Sequence, residues 1–409
     1  MPLLDMLRDA PWLSRERVMR WGVGCAFLAL ALIVVHVIRH TTAGLTDATG
    51  EQLASDFINY WSGALLADRG QAALAYDFHA YHAFQQTLVG AASDIKNYSY
   101  PPVAMLLCWP LAKLDFVPAL IVWTVGGAAL CALSLSRLIG WRMAALATVG
   151  APAAFLNVLT GQNGYFTAVL LGTGLLVLER RPTLAGILFG LMVYKPHLGL
   201  LLPVALIAGR QWRTIAAAAV TVAVVVGASM AVLGLAAWQG FIASTSLQRL
   251  ILELGQAGWH RMPTVYVAMR TLGAGSLAAY AAQIVSAAAA TALVAMVWRV
   301  RCAFGLKAAT LLVAMFLATP YAQDYDMVVL IFAAGWLLNE ALAEGFWPWE
   351  RIALAGLLVL PLVTMSLTKL IGVQLAPVVL WLMLGLLVRC AFAQRRTVPA
   401  RVGLSSAAV

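Results

Sequence analysis

Apolar runs alternate with short polar segments along most of the chain. Thirteen such runs stand out. Because about 20 apolar residues carry a helix across the hydrocarbon core of a bilayer, this pattern predicts membrane-spanning helices rather than a soluble core. The runs cover residues 21–38, 101–114, 116–135, 143–159, 165–178, 183–194, 198–208, 214–237, 276–298, 308–318, 327–338, 352–367 and 375–388.

Basic residues mark both ends of the chain. Arginines precede the first run and follow the last one: Arg8, Arg15, Arg17, Arg20, Arg389, Arg395, Arg396 and Arg401. Lys and Arg are enriched on the cytoplasmic side of membrane proteins, so residues 1–20 and 390–409 are predicted to be cytoplasmic, with the first run as an uncleaved signal anchor. Two cytoplasmic ends need an even number of crossings. We expect about twelve, with the short run 101–114 not crossing; a full crossing there and one fewer elsewhere is the alternative.

Residues 41–99 form the one long stretch that is not mostly apolar. Acidic residues outnumber basic ones in it, with Asp47, Glu51, Asp56, Asp68, Asp77 and Asp94 against Arg69 and Lys96. This excess predicts an external loop. Apolar side chains recur there at helical spacing, first after Asp56 and again from Tyr81 to Leu88, which indicates amphipathic helices along the membrane surface. We expect this loop to carry the catalytic carboxylate.

Composition narrows the class of protein. Of the 409 residues, 62% are hydrophobic and only 11% are charged, whereas about a quarter are charged in soluble domains. The chain is therefore predicted to be an all-α polytopic membrane protein with a single integral-membrane domain over residues 1–409. The net charge of +10 follows the positive-inside pattern and does not favour a nucleic-acid partner. The five cysteines have no paired spacing that would indicate a disulfide framework or a thiolate metal site.

The predicted topology places isolated polar residues at the external ends of many helices, which favours one shared external site. These residues are Asp56, Tyr100, Gln162, Lys195, His197, Arg261, Asp324 and Asp326. Lys195 is the most informative, because the apolar runs on either side of it have only about twelve residues, or roughly 18 Å of helix against a core of about 30 Å. A cation below the membrane surface suits the phosphate of a lipid. A hairpin whose lysine extends to water is the alternative.

Several short motifs occur in a characteristic order. They are Asp56-Phe57-x-x-Tyr60-Trp61, Gly70 with Tyr76-Asp77, Tyr98-x-Tyr100-Pro101-Pro102, Gly161-Gln162-Asn163, Gly190 before Lys195-Pro196-His197, and Thr319-Pro320-Tyr321 with Tyr325-Asp326. In this order and spacing the chain resembles the polyprenol-phosphate-sugar-dependent glycosyltransferases of family 87, which belong to the GT-C superfamily. The resemblance spans about residues 54–330. Related sequences often carry histidine where this chain has Tyr321, so His197 or His260 is expected to take over any role of that histidine.

The resemblance implies a GT-C fold in the bacterial inner membrane, with a lipid-linked sugar donor, most often mannose, and inversion at the anomeric carbon. It also implies an aspartate of the first external loop, here Asp56, as the general base. The chemistry agrees, because displacement of a phosphate leaving group needs one base and cations but no acid. The remaining assignments are donor-phosphate ligands, namely Lys195, His197, His260 and Arg261, and ligands of the sugar or acceptor, namely Tyr60, Tyr100, Gln162, Asp324 and Asp326.

Other interpretations of these residues and of the chain stay open. Tyr100 can cap a helix, Gln162 can serve a turn, and Asp324 with Asp326 can belong to a solvated loop. A transporter or flippase of lipid-linked glycans would also be apolar and multi-spanning, although it predicts similar chain halves, which the sequence does not show. A GT-C enzyme that transfers a pentose or an aminosugar would use the same site. We expect a lipid or glycan acceptor, contact with membrane lipids and no cofactor, with a divalent cation as an option.

Overall fold

The computed structural model describes residues 3–41, 45, 52–89 and 96–397, with side chains up to residue 394. Asp47, Glu51, Asp94 and Arg401, and with them part of the predicted loop 41–99 and of the tail 390–409, lie outside the described residues. Within the described part the chain is helical. The α-helices are α1 Leu3–Asp9, α2 Arg15–Thr41, α3 Phe57–Asp68, α4 Phe78–Val89, α5 Pro102–Cys108, α6 Phe116–Ile139, α7 Trp141–Gly150, α8 Pro152–Thr160, α9 Gly164–Val177, α10 Pro182–Leu191, α11 Leu202–Ala208, α12 Trp212–Leu233, α13 Leu235–Glu253, α14 Val265–Thr271, α15 Ser276–Arg299, α16 Phe304–Ala318, α17 Leu330–Glu344, α18 Glu350–Ile371 and α19 Ala376–Thr397.

Six short 3₁₀ turns connect some of these helices. They are Ala72–Tyr76, Trp109–Lys113, Met192–Tyr194, Pro196–Gly199, Trp259–Arg261 and Asp324–Val329.

Seven helical segments in the described chain are long and apolar enough to cross a membrane: Arg15–Thr41, Phe116–Ile139, Trp212–Leu233, Ser276–Arg299, Asp324–Glu344, Glu350–Ile371 and Ala376–Gln394. The pair α7 and α8, bent by 56°, would be an eighth. Five shorter apolar helical segments correspond to the remaining apolar runs. The expectation of an all-α, multi-pass membrane protein is therefore confirmed, whereas the count of twelve crossings stays a prediction.

The protein core surrounds α16. Its side chains are buried along almost the whole helix, and α15, α17 and α19 pack around it. By contrast, α2 and α12 expose most of their apolar side chains, as expected of helices that face lipid. The chain between α16 and α17, which includes the turn Asp324–Val329, therefore lies against the most deeply buried part of the molecule.

The chain breaks its helical path at Lys195. α10 ends in the 3₁₀ turn Met192–Tyr194, and the turn Pro196–Gly199 leads to α11. α10 also packs closely against α12, because a methyl group at Gly190 would lie 2.6 Å from Cβ of Thr221 in α12. Small residues allow helices to approach closely in lipid, and Gly190 allows α10 to pack closely against α12.

The helices of the first polar loop differ from the expectation in one respect. The stretch after Asp56 forms α3, but α3 is buried on nearly all sides instead of having one apolar and one exposed polar face. Small side chains on the other face allow this burial: a methyl group at Gly63 would lie 2.7 Å from the ring of Tyr98, and the Ser62 hydroxyl lies 2.8 Å from that of Tyr81. α4 keeps the expected amphipathic form, with Tyr81 and Gln85 buried one turn apart.

The run 101–114 forms α5, of seven residues, and the 3₁₀ turn Trp109–Lys113, of five. At about 1.5 and 2.0 Å per residue these pieces add to roughly 20 Å, which is less than the thickness of the hydrocarbon core. Both pieces pack against α3. This length agrees with a segment that does not cross.

Candidate active site

A cavity of about 580 Å³ opens where the turns between the helices meet. Six of the ten residues predicted for the site line it: Asp56, Tyr100, Gln162, Lys195, His197 and Arg261. Tyr60, His260, Asp324 and Asp326 do not line it, although each lies next to a residue that does. Residues far apart in the sequence thus come together at one site.

The start of α3 is fixed against the end of α8, and this contact places Asp56. The backbone N–H of Asp56 donates to the carbonyl of Thr160 at 3.0 Å. Gly161 then ends α8 with a φ of +67°, which favours glycine, and a methyl group there would lie 2.6 Å from Cβ of Phe57. Only glycine meets both conditions, so the Gly161-Gln162 turn brings Gln162 beside Asp56.

A chain of hydrogen bonds orients the carboxylate of Asp56. Gln162 Nε2 donates to Asp56 Oδ2 at 3.0 Å, and Gln162 Oε1 accepts from the Tyr60 hydroxyl at 2.5 Å. The Tyr60 and Tyr100 hydroxyls lie 2.6 Å apart. Because the single hydroxyl proton of Tyr60 goes to Gln162, Tyr100 is the donor to Tyr60. The two phenols therefore fix the amide so that its N–H₂ points at Asp56.

Lys195 lies in the cavity wall and is already paired. Its Nζ donates to Asp326 Oδ1 at 2.5 Å and to Asn163 Oδ1 at 2.9 Å, and its side chain is only 2% exposed. The ring of Tyr325 is 4.8 Å from the same ammonium. Lys195 is thus the buried cation that the short helices predicted, with its charge compensated by Asp326.

Arg261 and Asp324 form a second pair of this kind. Arg261 Nε and Nη2 donate to both oxygens of Asp324 at 2.9–3.2 Å, and Asp324 is buried. Two-point contact holds the guanidinium in one orientation. Since Asp324 and Asp326 lie behind the wall and hold these two cations, the geometry favours positioning roles for them over direct contact with sugar hydroxyls.

The two histidines differ in their placement. His197 lines the cavity, and its ring packs edge-on against Tyr321 with centroids 5.7 Å apart. Tyr321, where the family resemblance implies a histidine, is thus adjacent to a histidine from another segment. His260 lies outside the cavity lining. Partial burial, together with the charges of Lys369 and Arg261, lowers the pKa of His260 below its usual value.

Sequence reasoning missed three residues of the cavity wall. Lys96 Nζ lies 3.3 Å from Asp56 Oδ1, Arg249 is at the rim, and the Tyr325 ring lies within 6 Å of both Lys195 and Arg261. The signal for Lys96 was present, because it is one of two basic residues in the loop 41–99. Tyr325 belongs to a motif of the family resemblance but was given no role in the site, and Arg249, in α13, carried no comparable signal.

Positively charged side chains outnumber negatively charged ones among the described residues that face the cavity. Asp56 is the one carboxylate among the described lining residues, and it shares the wall with Lys96, Lys195, Arg249 and Arg261. In the described part of the chain, no group of three or more His, Cys, Asp or Glu side chains is arranged to hold a metal ion. The arrangement provides one proton acceptor in a wall of cations, which suits an anionic substrate with a hydroxyl to be deprotonated.

A comparison with protein-family models decides the class of protein. The model of glycosyltransferase family 87 matches residues 98–320, which is more than half of the chain. The chain belongs to glycosyltransferase family 87. The prediction from the motifs is confirmed, and the protein is a multi-pass membrane glycosyltransferase rather than a transporter. Searches of curated proteins and of solved structures found no match.

The match to family 87 includes most of the cavity wall. Tyr100, Gln162, Lys195, His197, Arg249 and Arg261 all fall inside the matched residues, whereas Asp56 and Lys96 precede them. The family match therefore does not include Asp56, and the case for Asp56 rests on its sequence motif and on its position in the cavity.

Proposed function

We propose that this family 87 enzyme transfers a sugar, with mannose as the first candidate, from a polyprenyl phosphate to a hydroxyl of a lipid or glycan acceptor. Asp56 is the general base, and the configuration of the anomeric carbon is inverted. The observation that carries the proposal is that Asp56 is the one carboxylate among the described residues that line the cavity, opposite several cations.

The chemistry needs one proton acceptor. The acceptor oxygen attacks the anomeric carbon, its proton passes to Asp56, and the bond from that carbon to the phosphate oxygen breaks with its electron pair. The leaving phosphate keeps that pair and needs no general acid. Positive charge at the departing oxygen stabilises the transition state, and the cations of the wall provide it. A second carboxylate near Asp56, as in glycosidases, is not required.

The proposed location is the bacterial inner membrane, with the cavity on the external side and both termini in the cytoplasm. Support comes from the arginines at the two ends of the chain and from the acidic excess of the loop that contains Asp56. A donor whose phosphate lies at the interface and whose chain lies in the bilayer can reach a cavity at the ends of the helices.

The test measures sugar transfer by purified protein in nanodiscs. Radiolabelled polyprenyl phosphate mannose is supplied with a lipid extract as acceptor, and Asp56→Asn is compared with wild type. We expect transfer to fall at least 100-fold in Asp56→Asn, since general base catalysis contributes about 10²–10⁴. Asp115→Asn is the matched control, because Asp115 is exposed and makes no capping hydrogen bond with its side chain.

The outcomes separate the remaining candidates. Normal transfer by Asp56→Asn would exclude Asp56 as the base while keeping the reaction. Transfer from a pentose or aminosugar donor, and none from the mannose donor, would keep the mechanism and change the sugar. If no lipid-linked donor supported transfer by wild-type protein that remained folded, the proposal of a polyprenyl phosphate donor would be abandoned.

A further inference from the structure

Four cations line the cavity among the described residues, and their partners differ in one important respect. Lys195 pairs with Asp326, Arg261 with Asp324 and Arg249 with Glu253. None of these three carboxylates lines the cavity. Each can therefore hold its cation in place while a ligand occupies the cavity.

Lys96 is the exception, because its partner is Asp56, which does face the cavity. The ion pair between Lys96 and Asp56 therefore lies inside the space that a substrate would enter. Its Nζ to Oδ1 distance is 3.3 Å, and the two side chains are 23% and 17% exposed. The pair of Lys195 with Asp326 is shorter and only 1–2% exposed. Because the Lys96–Asp56 pair is longer and more accessible to water, exchanging the partner of Lys96 costs less than breaking the buried pair.

The two oxygens of Asp56 have different partners. Oδ2 accepts from the oriented amide of Gln162, and Oδ1 accepts from Lys96. The bond to Gln162 is fixed by the two tyrosine hydroxyls behind it, so Oδ1 is the oxygen that can be released. A carboxylate that accepts a hydrogen bond from an ammonium is a weaker proton acceptor than one without it. Lys96 in this position therefore occupies the oxygen of Asp56 that would accept a proton.

We propose that Lys96 binds the phosphate of the lipid-linked substrate and leaves Asp56 Oδ1 as it does so. The phosphodiester of such a donor offers two anionic oxygens that bind an ammonium strongly, and the phosphate monoester released by sugar transfer carries a further negative charge. Arrival of the donor thus removes the hydrogen bond from Oδ1 and frees that oxygen to accept the proton of the acceptor hydroxyl. The inference rests on the proposed function, and it identifies a phosphate ligand and an order of events in the same site.

The test measures binding and does not depend on turnover. Undecaprenyl phosphate, which lacks the sugar, is titrated into wild type, Lys96→Met, Asp56→Asn and the double variant in nanodiscs. Lys96→Met should weaken binding about tenfold, the effect of losing one charged hydrogen bond. Asp56→Asn should strengthen binding several-fold, because Lys96 no longer has a carboxylate partner. In the Lys96→Met background, Asp56→Asn should have no such effect.

Controls separate this mechanism from general effects of charge. Lys113→Met removes an exposed lysine that pairs with Asp68 outside the cavity, and binding should not change. Lys96→Arg keeps the charge and should bind within a few-fold of wild type. Inorganic phosphate is added as a competitor to identify the source of the anion. If the site recognises a lipid-linked phosphate, inorganic phosphate should compete only at concentrations far above that of undecaprenyl phosphate. Melting curves verify that each variant is folded.

Failure of this inference is distinguishable from failure of the proposed function. If wild type transfers sugar and Lys96→Met binds undecaprenyl phosphate as tightly as wild type does, Lys96 is not a phosphate ligand and only this inference is lost. If Asp56→Asn tightens binding equally with and without Lys96, the exchange of partners is wrong. If wild type transfers no sugar but the binding differences appear, the phosphate site stands and the reaction must be reconsidered.

Discussion

Lys195 Nζ donates to Asp326 Oδ1 at 2.5 Å and so joins two segments that are 131 residues apart in the sequence. One segment is the break between α10 and α11, and the other is the turn that precedes α17. Asn163 accepts a second hydrogen bond from the same ammonium. The contact therefore fixes three parts of the cavity wall relative to one another.

Loss of either partner should destabilise the protein substantially. Lys195→Met leaves the buried Asp326 without its cation, and Asp326→Asn leaves the buried Lys195 without its anion. Breaking a buried pair costs about 3–5 kcal/mol. We expect a large fall in melting temperature in detergent for each single variant, and a partial recovery in the double variant, in which neither charge is left unpaired.

Lys113→Met is the control for this pair, since Lys113 and Asp68 form an exposed ion pair. Exposed pairs contribute little, so its melting temperature should stay close to that of wild type. Equal melting temperatures for Lys195→Met and Lys113→Met would contradict a structural role for the buried pair. An additive loss in the double variant would show that the two charges are not coupled.

Gly164→Ala should disturb the site through the backbone. A methyl group at Gly164 would overlap the carbonyl oxygen of Tyr325 and lie 2.7 Å from Asn157 Oδ1. The turn that carries Asp324 and Asp326 must then move away from α9. Overpacking of this kind costs about 1–3 kcal/mol. We expect a lower melting temperature and weaker binding of the lipid-linked donor, measured by titration in nanodiscs.

Gly126→Ala provides the comparison. Gly126 lies within α6, and a methyl group there would meet nothing within 4 Å. Alanine is the better helix former by about 1 kcal/mol, so this variant should be as stable as wild type or more so. If both substitutions lowered donor binding equally, the close approach of Gly164 to Tyr325 would not explain the loss.

The sequence was sufficient to predict where the helices form and that they share a polar site. Apolar runs determine where helices form. Burying a charge in lipid is costly, so Lys195 and the aspartates of the Asp324 turn could be expected to share one polar site. Family 87 was recognised from motifs such as Gly161-Gln162-Asn163, and the family comparison confirmed it. These inferences depend on composition and order along the chain.

The pairing of the charges was not predictable in the same way. Which aspartate holds Lys195 and which holds Arg261 depends on how the turns pack, and Asp324 and Asp326 are equally acidic in the sequence. The burial of α3 was not predicted either. A helix with apolar residues on one face and small residues on the other has the pattern of an amphipathic helix, and its sequence does not show which neighbours cover the second face. Lys96 reaches Asp56 across 40 residues, a contact that helical spacing cannot indicate.

Gln162 should act as a positioning residue for Asp56. Gln162→Leu removes the hydrogen bond to Asp56 Oδ2, and bonds to charged groups contribute about 1.5–3 kcal/mol, which corresponds to a roughly 10- to 100-fold fall in kcat. The KM for the donor should change little, because the phosphate-binding cations stay in place. Tyr60→Phe should have a smaller effect of the same kind, since it removes the bond that orients the amide. Initial rates over a range of donor concentrations separate kcat from KM.

Gln162→Glu tests the same geometry through pH. It would place a second carboxylate within hydrogen-bond distance of Asp56, and two carboxylates at that distance resist ionising together. The base must be ionised to act, so the rising limb of the pH–rate profile should move to higher pH. Gln71→Leu, at an exposed glutamine outside the cavity, should leave both the rate and the profile unchanged. A profile for Gln162→Glu that coincides with that of wild type would mean that Gln162 does not contact the ionising group, which would contradict Asp56 as the base.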